Sequence, residues 1–126
     1  MELKHFHFYF SCAEEAIQLI QSTGNDLDTF PVLLLMGKLY FQLQNFDKAL
    51  MSVLRATRLK PHSSECFYYL GKIYYASNDI LRSRKCFEKC VTLNPLNEKA
   101  VENLSAIYQL LEEEVNVGSF LKWIFP

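Results

Sequence analysis

The sequence predicts an all-α chain of helical hairpins repeated at a fixed stride, and three observations predict it. LLLMGKLYF (33–41) is echoed by FYYLGKIYY (67–75) exactly one stride of 34 residues later, with no gap in the register. Pro61 and Pro95 keep the same spacing and close each copy. Only four Gly and four Pro occur in 126 residues, too few turn-formers for the many tight turns of a sandwich or barrel.

The N-terminal segment, 1–29, reads as an imperfect repeat. SCAEEAIQLIQS (11–22) has Ser11 followed three residues later by Glu14, the pattern of a capping box that opens a helix. Ala16, Ile17 and Ile20 mark its apolar face, and TGND (23–26) ends it. HFHFYF (5–10) is the stump of a preceding helix, because an isolated strand would have nothing to pair with.

Residues 30–63 and 64–97 are the two complete hairpins. Leu33, Met36 and Tyr40 fall at i, i+3, i+7 and form one helical stripe; Phe67, Leu70 and Tyr74 repeat it. Gly37 and Gly71 remove a side chain where a second helix must come close. That second helix carries Ala49, Val53 and Ala56 in one copy and Ser83, Phe87 and Cys90 in the next: small, large, small. QNFD (44–47) and SNDI (77–80) lie between the helices, where Asn and Asp favour turns and N-caps. Pro61 and Pro95 end each unit, since proline cannot continue a helix interior.

Residues 98–126 begin a third copy with Val101, Leu104, Ser105 and Tyr108, then loosen through Val117 and Leu121. Glu112–Glu114 fall at the inter-helix turn and Gly118 within the expected second helix, so this copy reads as degenerate or truncated. Trp123, Ile124 and Phe125 place apolar bulk where a solenoid needs a polar end-cap. The expectation is a fragment or short form of a longer array, able to self-associate or assemble through this end.

With large–large–Gly–Tyr in the first helix, small–large–small in the second and Pro at the end, the pattern resembles the tetratricopeptide repeat family. The resemblance covers roughly three quarters of the chain and implies a right-handed α-solenoid of antiparallel hairpins. It also implies a non-catalytic scaffold that binds a peptide or a subunit on its concave face. A narrower resemblance rests on FYYLGKIYY (67–75), RSRKCFEKC (82–90) and EKAVENLSAIYQLLEE (98–113). These strings look like the large scaffold subunit of the superkiller complex, which would imply a place in cytoplasmic RNA decay.

The helical period puts Leu34, Lys38 and Phe41, then Tyr68, Lys72 and Tyr75, on the concave face. Lysines flanked by aromatics suit a peptide with apolar anchors and a carboxylate. Glu102, Ala106, Gln109 and Leu110 continue that face in the third copy. Within the family, a Lys/Asn/Arg clamp grips chaperone C-termini. Its places here hold Leu34, Lys38, Tyr69, Lys99 and Asn103, and only Lys99 keeps the expected type, so a chaperone tail is not the expected ligand.

Other functions find little support. A net charge of -1 gives no global attraction to nucleic acid or to an anionic membrane. The cluster Arg82, Arg84, Lys85 and Lys89 reads as a solvated helix face. No arrangement for catalysis can be proposed from His5, His7 and His62, and no phosphate loop or cofactor motif is present. Cys12, Cys66, Cys86 and Cys90 read as reduced, packed thiols rather than metal ligands, consistent with the cytoplasm or nucleus.

Overall fold

The structure, a computed structural model, describes the backbone of residues 2–22 and 29–124 and the side chains of residues 12–22 and 29–112. All regular structure among these is helical: α1 Glu2–Ser22, α2 Phe30–Gln42, α3 Phe46–Leu59, α4 Ser64–Ala76, α5 Ile80–Leu93 and α6 Glu98–Ile124. The helices pack in chain order, with α2 against α3 and α4 against α5 as the two tight hairpins.

Each hairpin closes at its glycine. A Cβ on Gly37 would fall on the Cγ2 of Val53, and one on Gly71 would sit 2.8 Å from two carbons of the Phe87 ring. The side chains opposite are fully enclosed: Ala49, Val53 and Ala56 in α3, and Ser83, Phe87 and Cys90 in α5, are each no more than 1% exposed. The hydroxyl of Ser83 satisfies itself in that enclosure by donating to the Gly71 carbonyl at 2.7 Å. A buried hydroxyl without such a bond would be costly.

The inter-helix turns use matching chemistry. Among the described residues Gln44 and Asn78, one stride apart, are the non-glycine residues with positive φ, at 59° and 65°. The amides that follow bond back to the helix they leave, Asn45 to the Tyr40 carbonyl and Asp79 to that of Tyr74. This is the wrapped C-terminal ending in which one left-handed residue lets the chain reverse. The side chains of Asn45 and Asp79 then cap the next helix, accepting from the amides of Lys48 and Arg82 at 3.3 and 3.2 Å. Asn97 accepts from Ala100 at 3.2 Å in the same way at the start of α6.

Both flanks differ from the sequence expectation. At the N-terminus α1 runs unbroken through Ser11, so Ser11 lies inside a helix and cannot be the N-cap of a separate one. No Gly or Pro interrupts 2–22, and nothing local stops the helix. Among its described side chains Ala13 and Ile17 are the buried ones, while TGND (23–26) lies outside the described residues.

At the C-terminus α6 is one helix of 27 residues with no turn at Glu112–Glu114. The physical reason is in the register. Glu112 and Glu113 stand one stride beyond Asn78 and Asp79, where the left-handed residue and the cap are needed. Glutamate is poor at both tasks and a good helix former. Trp123, Ile124 and Phe125 have side chains outside the described residues.

The thiols are free. Cys66 and Cys90 are buried and Cys86 is half-buried, as packing predicts, whereas Cys12 is exposed. Burial pushes the Cys86 thiol up to about 11, far from the reactive thiolate range.

Candidate peptide groove

The first helices of successive hairpins, α2, α4 and the start of α6, line one side of the stack. Between them lies a pocket of about 250 Å³ bounded by Phe41, Lys72, Tyr75, Ala76, Phe87, Asn103 and Ala106. Phe41 comes from α2, Lys72, Tyr75 and Ala76 from the end of α4, and Asn103 and Ala106 from α6. Phe87 reaches the groove from α5, because Gly71 leaves a gap in α4 that its ring fills.

Two lysines stand in the groove in different electrical states. Lys38 is held by Glu65 of α4, its Nζ 2.7 Å from the carboxylate, and lies 5.1 Å from the centre of the Tyr69 ring. That hydrogen bond to Glu65 raises its pKa despite some desolvation. Lys72 has no carboxylate partner among the described residues. Its Nζ lies over three rings, 5.0 Å from Phe41, 5.4 Å from Tyr68 and 5.6 Å from Tyr69. Desolvation, and then the like charge of Lys99, push its pKa below the usual lysine value. A cation so placed gains from the faces of the rings. No carboxylate among the described residues offsets its lost hydration.

The expected groove residues thus divide. Phe41, Lys72 and Tyr75 meet around the pocket, and Tyr75 is 51% exposed. Tyr68 is half-buried, edge-on to Tyr69 at 5.4 Å and to Phe87 at 6.0 Å, so it supports the wall. Lys38 is adjacent but already paired. Leu34 requires a correction: at 5% exposure it belongs to the apolar core with Ile17 of α1 and Cys66 of α4, not to an open face. Helical period alone assigns Leu34 a direction, and cannot show that neighbouring helices close over it.

Sequence reading missed Phe87 and Glu65 as groove residues. Glu65 was findable, since it lies seven residues before Lys72, two turns along one helix face. Asn103 was noted only as a clamp position, yet it lines the pocket.

Of the strings behind the superkiller resemblance, RSRKCFEKC (82–90) lies on the opposite side, in α5. Its arginines pair locally, Arg82 with the N-cap Asp79 and Arg84 with Glu88, each at 3.3 Å. Its Ser83 and Phe87 serve the crossing with α4.

An array of antiparallel helix hairpins with an aromatic and basic concave face defines a class of α-solenoid repeat proteins. Two family models described as tetratricopeptide repeat match the chain, over residues 30–63 and 64–97. The chain belongs to the tetratricopeptide repeat family.

Solved structures of the same fold include the first such domain of Spaghetti (RPAP3) bound to the HSP90 peptide SRMEEVD. It shows 22% identity and a TM-score of 0.75, over 86% of this chain and 89% of that one. The second domain of human RPAP3, in complex with the HSP70 peptide SGPTIEEVD, shows 22% identity and a TM-score of 0.69. That match covers 84% of this chain and 91% of that one. MamA shows 18% identity and a TM-score of 0.75, over 95% of this chain and 72% of that one. No curated protein matches the sequence. Among the described residues no helix is long and apolar enough to cross a membrane.

Proposed function

We propose that the chain is a non-catalytic interaction scaffold that takes a peptide segment of a protein partner on its concave face. The partner places an apolar side chain in the pocket between Phe41, Tyr75 and Ala106 and an acidic group on Lys72. The observation that carries this reading is the state of Lys72, a half-buried cation stacked on aromatic rings with no carboxylate among the described residues to answer it. Lys38, satisfied by Glu65, plays the lesser part.

Support also comes from the two RPAP3 domains of the same fold, which hold peptides containing acidic residues beside valine. Leu34 and Tyr69 stand where the chaperone clamp of the family needs lysine and asparagine, so the partner proposed here is an acidic–apolar segment other than a chaperone tail.

An array of acidic–apolar peptides, with hits titrated by fluorescence anisotropy, tests the proposal. Lys72→Glu weakens binding about tenfold or more, the scale of losing one charged contact in a partly desolvated site. Lys38→Gln changes it by less than about threefold, as expected for a lysine already paired. Unchanged affinity in Lys72→Glu, with an unchanged circular dichroism spectrum, would sink the assignment.

A further inference from the structure

The first half of α6 is a first helix without its second. Ala100 and Ile107, one stride beyond Cys66 and Ile73, are buried against the preceding hairpin at 0% and 1% exposure. The other face is largely open, with Leu104 half-buried. Val101 and Tyr108 are 40% and 46% exposed, and Ser105 is exposed. One and two strides earlier, the corresponding residues include Leu33 at 2%, Tyr40 at 8% and Leu70 at 3%, with Gly37 and Gly71 buried beneath α3 and α5. The open face of α6 therefore has the register of a seat for a second helix.

The matching helix is encoded in the same element. Positions 117, 121 and 124, one stride beyond Ser83, Phe87 and Cys90, are Val117, Leu121 and Ile124. All three fall within the helical span of α6. The two halves of a hairpin have been drawn out into one continuous helix, because Glu112 and Glu113 supply neither a left-handed turn residue nor a cap. A straightened hairpin cannot cover its own seat, but two copies placed antiparallel can cover each other's.

We propose that two copies of this chain exchange the second halves of α6, residues 113–124 of each lying on the Val101–Leu104–Ser105–Tyr108 face of the other. The exchange is isologous, as a two-fold pair requires, with the axis passing near Glu112. The face borders α5, since Tyr108 donates to Glu88 at 2.9 Å and Leu104 packs against the cluster that holds Phe87 and Cys90, and it lies apart from the residues that line the groove pocket.

Light scattering on the 126-residue chain, at about 100 µM, reads the first consequence: a mass of two chains. For geometry, Ser105→Cys and Val117→Cys are made separately in a Cys12→Ser background. These positions face each other across a closed hairpin, as Gly71 and Ser83 do. Mixing the two variants under mild oxidation gives a disulfide-linked heterodimer, which neither variant forms with itself. The double substitution Glu112→Asn with Glu113→Asp restores the turn chemistry of Asn78 and Asp79 and shifts the mass to one chain. A monomeric parent overturns the proposal, as does a dimer whose 105 and 117 positions fail to cross-link between chains. A single chain carrying both cysteines that links only internally overturns it equally, by showing that the hairpin closes on itself.

Discussion

Gly71→Ala places one methyl group where α4 and α5 cross, and its consequence can be worked out from the atoms around it. The added carbon would lie 2.8 Å from two ring carbons of Phe87 and 2.9 Å from a third. Phe87 is 1% exposed, enclosed with Cys90, Ala100 and Ile107, so its ring cannot swing away without moving α6. Overpacking of that kind costs about 1–3 kcal/mol. Separating the helices also stretches the buried Ser83 bond to the Gly71 carbonyl, which contributes about 1 kcal/mol. Against this, alanine is favoured over glycine in a helix by about 1 kcal/mol. The net is destabilisation by about 2 kcal/mol. Thermal unfolding followed by circular dichroism reads it as a fall in Tm of roughly 8 °C for a chain of this size. Adding Phe87→Leu recovers part of the loss by removing the ring from the crossing. A Gly71→Ala variant as stable as the parent, or more so, would refute the close approach and with it the reason for glycine at 37 and 71.

Two further predictions rest on other parts of the chain. Gln44 holds a positive φ without the freedom of glycine, so Gln44→Gly relieves left-handed strain of about 1–2 kcal/mol at some cost in unfolded-chain entropy. The net expected gain is about 0.5–1 kcal/mol in urea unfolding, and Asn78→Gly gains less because asparagine tolerates the conformation. The Cys86 thiol, raised by burial to about 11 from 9.0, binds its proton more tightly folded than unfolded. Stability is therefore full below pH 9 and falls as pH rises from 9 to 11. The loss is about 2 kcal/mol once screening at a partly exposed site is allowed for. Tm measured against pH shows that slope, and Cys86→Val makes it shallower, the rest coming from Tyr68, Tyr74 and Tyr108, which are also raised.

The hairpins were legible because their determinants are local and paired. Gly37 with Val53, and Gly71 with Phe87, each need a hole in one helix and a plug in the next, and both members recur at one stride. The turn residues Asn45 and Asp79 declare themselves by side-chain chemistry. The flanks were less legible for a related reason: a helix continues wherever nothing stops it, and the absence of a stop is a weaker signal than a repeat. Ser11 looks like a cap only if the chain before it is not helical. Glu112–Glu114 look like a turn only if register outranks helix propensity.

In the groove, period gave Phe41, Lys72 and Tyr75 their common face but could not show that Leu34 is closed over by other elements. Nor could it distinguish Lys38 from Lys72, which hold equivalent positions but meet Glu65 in one case and Lys99, one stride on, in the other.

Phe87 serves two surfaces at once, filling the notch left by Gly71 and flooring the pocket beside Lys72. The depth of the pocket is therefore tied to the integrity of the hairpin, and neither can be altered alone at that residue. Freedom to reshape the pocket belongs to its rim, at Tyr75, Ala76, Asn103 and Ala106. Substitutions there leave the helix crossing intact, whereas any change from below alters the fold first.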